Sequence, residues 1–186
     1  MVCMLNFRKR KPRKPNEKGK KKRIINLVEN EDMFDMILEI TDSAKKQSIA
    51  RKVLEALTEW FEVEESREGY IRDCTNWTFL AAKEDDKVMG FLCLRETGNA
   101  TVELAVMGVM KEFHRKGVGR QLVEKAKEVA KAQGYEFMQV KTVKMGMYED
   151  YDRTNLFYIS CGFKELEVFP LLWDETNPCQ IYVMAL

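Results

Sequence analysis

The chain has 186 residues, 45% hydrophobic and 33% charged, which suits one globular domain with a sizeable core. Its net charge of +1 conceals two unlike parts, +10 on residues 1–23 and −9 on residues 24–186. Five scattered cysteines and one histidine suggest neither a zinc site nor a disulfide framework, and no apolar run approaches the roughly 20 residues of a membrane span.

Residues 1–23 are low-complexity and almost free of core-formers after Phe7, so they are expected to form a basic disordered tail ahead of a domain over 24–186. Such a tail reads as a contact for a polyanion such as RNA, or as a plain solvated extension. No apolar stretch follows it as a secretory signal would require, and unpaired thiols fit a reducing, cytoplasmic setting. Residues 24–28 (IINLV) read as a first strand and 33–40 as a short amphipathic segment. Asp42 or Ser43 could cap a helix running to Phe61, on which Ile49, Val53, Leu54, Leu57, Trp60 and Phe61 share a face. That spacing assigns Trp60 and Phe61 to the core. Residues 64–74 read as a further short helix or an ordered loop.

Residues 78–83 and 88–96 read as strands joined across the polar turn at 84–87, and Gly98 with Asn99 turns the chain into a third strand at 102–109. Beyond a short basic loop, Val118, Leu122, Val123, Ala126, Val129 and Ala130 repeat at helical spacing, and Gly134 is a natural stop. Residues 137–143 (FMQVKTV) form a strand reached by a helical crossover, hence parallel to the strand before it. Thr154, Phe157, Tyr158 and Cys161 mark a short helix ended by Gly162. Residues 163–169 and 181–186 are the last strands, joined by a loop with Pro170, Trp173 and Pro178. The order gives an α+β fold, three-layered, with a central mixed, mostly antiparallel sheet of about six to seven strands flanked by helices.

The basic loop sits where a strand hands over to a helix N-terminus, the place for an anion. His114, Arg115, Lys116 and Arg120 surround it, and Gly117 and Gly119 let the backbone approach a ligand. No G-x-x-x-x-G-K-[ST] run exists for a P-loop. A dinucleotide fingerprint fails because Leu122 stands where its third glycine belongs.

His114-Arg115-Lys116-Gly117-Val118-Gly119 resembles the acetyl-CoA loop [Q/R]-x-x-G-x-[G/A] of the GNAT superfamily of N-acetyltransferases, with His at the first position. NLFYISCGF at 155–163 resembles the same family's short helix ending F-Y-x-x-x-G-F, with Tyr151 and Thr154 where many members carry Asn and Ala. The resemblance implies acetyl transfer from acetyl-CoA, as co-substrate and without a metal, to a primary amine by direct attack in a ternary complex. It implies that His114, Arg115, Lys116, Gly117, Val118, Gly119 and Arg120 hold the diphosphate, and that the backbone of Met107, Gly108 and Val109 holds the pantetheine arm. Tyr158 takes the place of the family's acid, and Glu103 that of a water-mediated base. Each also has a plainer reading, Tyr158 as core packing and Glu103 as an edge-strand glutamate. Gly108 suits a bulge or a close backbone approach. Cys161 and Cys179 are expected as buried structural thiols. The acceptor is a small-molecule amine or a protein amino group, selected by loops within 41–76 and 171–178, and the protein a monomer or homodimer. Alternatives are a ribosomal-protein acetyltransferase docked through the basic tail, or a CoA- or RNA-binding module without catalysis.

Overall fold

A computed structural model describes residues 37–186. The basic stretch 1–23 and the expected strand at 24–28 lie outside the described residues. Seven strands form one sheet: β1 (Ile37–Glu39), β2 (Thr78–Glu84), β3 (Lys87–Gly98), β4 (Thr101–Val109), β5 (Phe137–Val143), β6 (Lys164–Asp174) and β7 (Asn177–Ala185). Their spatial order is β1-β2-β3-β4-β5-β7-β6, and β4 with β5 is the parallel pair among antiparallel neighbours. The mixed, mostly antiparallel α+β sheet is therefore as the sequence predicts.

Four helices cover it: α1 (Ser43–Glu55), α2 (Glu64–Asp73), α3 (Val118–Ala132) and α4 (Glu149–Ser160). Two cores result, one on each face. On one face Val53 and Leu54 of α1 and Ile71 of α2 pack on Phe79, Phe91 and Val106, with Phe79 and Phe91 stacked at 5.0 Å. On the other, Leu122, Val123, Ala126 and Ala130 of α3 meet Leu92, Leu104, Val140 and Tyr182. Each fully buried Leu or Val there is worth about 1.5–3 kcal/mol.

Local chemistry explains most boundaries. Asp42 accepts from the Lys45 N–H at 2.8 Å and caps α1. Gly134 (φ 88°) and Gly162 (φ 100°) close α3 and α4, where Tyr135 N–H reaches Ala130 O at 3.1 Å and Phe163 N–H reaches Tyr158 O at 3.2 Å. Residues 33–36 of the segment read as amphipathic also lie outside the described residues, and Ile37–Glu39 of it form β1, paired antiparallel to β2. Two expectations are corrected. Helix α1 stops at Glu55 rather than Phe61, because the residues beyond Leu57 find partners on other elements. The loop expected around Pro170, Trp173 and Pro178 is a hairpin of β6 and β7, where Asp174 accepts from the Thr176 N–H at 2.7 Å. β6 tolerates Pro170 because it lies at the sheet edge. Leu166, Phe169 and Leu171 are exposed along it.

One irregularity positions everything that follows. Cys93 pairs with Val106 and Leu94 with Leu104, so Ala105 is an extra residue in β4, a bulge. Val102 and Leu104 point into the α3 core, yet Val106 points into the α1 core, two residues on and on the opposite face. The parallel pairing of β4 with β5 ends at the same place, with Leu104 opposite Val140, while β5 stays paired to β7 through Val143. The two strands part there. The bulge is at Ala105, not at Gly108. Gly108 serves a close approach, since a Cβ on it would stand 2.8 Å from Val53 of α1 and 2.9 Å from Leu57 just beyond that helix.

Across β3, a Cβ on Gly90 would stand 2.6 Å from the backbone oxygen of Gly108. Backbone cannot move aside as a side chain does. Gly90→Ala should therefore cost about 1–3 kcal/mol in urea unfolding followed by circular dichroism. Gly98→Ala, with open space around it, should change little.

Candidate active site

The parted strands open into a cleft of about 1440 Å³ that runs from the start of α3 past the β4 edge to the α1–α2 loop and the β6–β7 hairpin. Its geometry builds from the backbone. Met110 N–H bonds back to Met89 O of β3 at 2.8 Å, so by alternation Val109 and Met107 turn their N–H and C=O groups to the gap, and Gly108 turns its own toward β3. The exposed peptide edge facing the gap therefore belongs to Met107 and Val109.

At the end of the cleft, Gly117 is the N-cap of α3 in a left-handed conformation (φ 89°), with no side-chain cap and no acidic residue in the first turn. The first N–H groups of this fifteen-residue helix are left to a ligand, with the positive end of the helix dipole behind them. Arg115 also adopts positive φ (61°), as a tight backbone nest requires. A Cβ on Gly119 would meet the Phe157 ring at 3.2 Å, so glycine lets α3 sit against α4.

The expected cofactor residues divide by position. Arg115, Gly117, Gly119 and Arg120 line the cleft, and Arg120 is steadied by Ser160 O at 3.1 Å. Val118 buries its side chain in the core and is not among the cleft-lining residues. Lys116 lies over the Phe113 ring at 5.3 Å and is not among the cleft-lining residues. His114 points back to the strand end, its Nε2 donating to Val109 O at 2.6 Å.

Tyr158 lines the cleft and is buried between Phe157 and Phe163, with ring centroids 5.4 Å and 5.7 Å away. Burial pushes its hydroxyl well above the ordinary tyrosine range, so it holds its proton at neutral pH. Glu103 is buried on the cleft floor. Its sequence neighbours Val102 and Leu104 are apolar but face the other way. Across the strands its Oε2 accepts from Arg95 of β3 at 2.7 Å and Lys141 of β5 at 2.8 Å. Sequence reading had no access to that triad, whose members come from three different strands.

Three further residues were not legible as site residues. Asn155, fully buried, donates to Val143 O at 2.9 Å and accepts from the Tyr182 hydroxyl at 2.7 Å, fixing α4 beside β5. Lys111 lines the cleft and pairs with Glu59. Trp60, expected on a helix face in the core, lies beyond α1, packs against the α1-side core and also lines the cleft, and the α1–α2 loop around it bonds to α4. The segments expected to select an acceptor do reach the cleft, through Phe61, Glu62 and Tyr70 on one side and Leu172 and Trp173 on the other.

With this geometry in hand, comparison with known proteins is direct. The model of the Acetyltransferase (GNAT) family matches residues 50–163, and the chain belongs to that family. It is 30% identical over 113 residues to an uncharacterised N-acetyltransferase of Chlorobaculum tepidum, and 30% identical over 100 residues to the uncharacterised N-acetyltransferase YsnE of Bacillus subtilis. These matches cover 59% and 54% of this chain, and it spans a little under two thirds of those relatives, 63% and 64%. The fold is similar to that of a GNAT family acetyltransferase from Elizabethkingia anophelis with acetyl-CoA bound, with TM-score 0.63, 18% identity, and 82% of this chain and 99% of that one covered. Among the described residues, no helix is long and apolar enough to cross a membrane.

Cys74, Cys93, Cys161 and Cys179 are buried free thiols, as expected. None of the four lines the cleft. Burial raises all four, Cys74 to about 11 and Cys179 to about 12. In the folded protein at pH 8, these four thiols should resist a disulfide reagent such as DTNB for hours and react at once in denaturant, as peptide mapping of the labelled protein would show.

Proposed function

We propose that this protein transfers an acetyl group from acetyl-CoA to a primary amine. The observation that carries the reading is the meeting, in one cleft, of the free β4 edge and the uncapped N-terminus of α3. A cofactor with a diphosphate at one end and an amide-bearing arm at the other matches both features. The helix N–H groups with Arg115 and Arg120 suit the diphosphate, and the N–H and C=O groups of Met107 and Val109 suit the amides of the arm.

Acetyl-CoA supplies an acetyl group activated as a thioester. The chain's own residues then position, orient and move protons. The β4 N–H groups at the parting are placed to polarise the thioester carbonyl. Tyr158, protonated at neutral pH, donates to the departing sulfur. Glu103 receives the proton of the amine through a water. Both cation bonds use its Oε2, which holds the carboxylate in one orientation and leaves Oε1 for that water. Aromatic and acidic side chains near the α1–α2 loop, Phe61, Glu62 and Tyr70 among them, favour an acceptor that carries positive charge.

Release of CoA thiol from acetyl-CoA in the presence of an amine panel tests the reading. No release with any amine, and no acetylated product, would count against it. Tyr158→Phe should lower kcat about 100-fold or more while leaving the KM for acetyl-CoA near its original value. Glu103→Gln should lower kcat about 10-fold or more, with the pH dependence of kcat/KM flattened on its acid side. An unchanged rate in both variants would remove the two proton-transfer roles while leaving the cofactor site in place.

A further inference from the structure

Trp60 joins two walls of the cleft. Its indole N–H donates to the Thr154 hydroxyl of α4 at 3.2 Å, and its carbonyl accepts from the Tyr151 hydroxyl of α4 at 3.1 Å. The ring also meets His114 at 6.1 Å between centroids, roughly perpendicular to it. His114 in turn holds Val109 O, one of the carbonyls that β4 turns to the gap. Trp60, Thr154, Tyr151, His114 and Val109 all line the one cleft. A continuous bridge thus runs from the β4 edge through His114 and the indole to α4. It joins the β4 side of the cleft to its α4 side.

We propose that Trp60 is a bar across the cofactor path, held shut by Thr154 and Tyr151, and that entry of acetyl-CoA lifts it. The inference rests on the cofactor reading above. The latch is anchored from within. The Thr154 hydroxyl gives its one proton to Asp150 O at 3.1 Å and receives the indole N–H, so its donor and one of its two acceptor sites are used. An entering arm must part Trp60 from Thr154 and Tyr151, and it meets a Val109 O that has already given one of its two lone pairs to His114. Part of the cofactor's binding free energy goes into opening the bar, so its apparent affinity scales with the fraction of molecules in which the bar is open.

The latch can be weakened without touching the helix terminus or the strand edge. Thr154→Ala removes the indole's acceptor; Thr154→Ser keeps it. In calorimetric titrations of the full chain with CoA, Thr154→Ala should bind about 2- to 10-fold more tightly than the parent, the range that one net hydrogen bond allows. Thr154→Ser should bind as the parent does. In parallel, the tryptophan emission of the parent should shift to the red as CoA is added, and a Trp60→Phe variant, still binding CoA by calorimetry, should lack that shift. CoA binding with unchanged emission, or Thr154→Ala binding no tighter than the parent, would overturn the bar while leaving the cofactor site intact. Absence of CoA binding in the parent would overturn both.

Discussion

The structure depends on one extra residue. With Ala105 inserted into β4, the strand cannot keep its side-chain alternation, so Val106 crosses to the α1 face while Leu104 stays on the α3 face. A bulged strand also bends away from one neighbour. Here it keeps β3 and leaves β5, which retains its own pairing to β7. A sheet interior would ordinarily bury and pair every backbone group. The bulge instead leaves β4 without its β5 partner beyond Leu104, so the peptide edge of Met107 and Val109 borders the cleft in the middle of the sheet.

Packing on both faces keeps that opening from collapsing. Glycines at 90 and 108 let β3, β4 and α1 come together more closely than any Cβ would permit. On the other face Asn155 ties α4 to β5 and β7, so the wall opposite the β4 edge is held by buried hydrogen bonds rather than by apolar contact alone. A polar residue at that depth is stable because its partners are present: its amide nitrogen donates to Val143 O and Tyr151 O, and its carbonyl receives the Tyr182 hydroxyl. The Glu103 triad is a second instance, a carboxylate placed at low exposure by cations on the two adjacent strands.

How much of this the sequence discloses follows from the range of each interaction. The α3 face, the stops at Gly134 and Gly162 and the antiparallel strands 78–109 depend on spacings of a few residues, and periodicity reveals them. The loop at 114–120 is legible for the same reason: its glycines and cations are contiguous. Ala105 is not legible, because Leu-Ala-Val-Met is as good a regular strand as a bulged one, and the extra residue is defined by its partner on β3. Trp60 falls at helical spacing from Val53 and Leu57, so a local reading places it on α1. Its hydrogen bonds to residues more than ninety positions away decide otherwise. Glu103 looks lodged among apolar residues until strand alternation turns Val102 and Leu104 away and two distant cations toward it.

The edge strand β6 has a bearing on how the molecule keeps company with its own kind. Eleven residues of outermost strand, with Leu166, Phe169 and Leu171 uncovered, form the sort of border onto which a second chain can add itself without limit. Lys164, Glu165 and Glu167 interleave charge with that apolar row, and Pro170 has no N–H to offer in either direction. Charge at one end of the strand and a proline near its middle are the features by which edge strands discourage such addition.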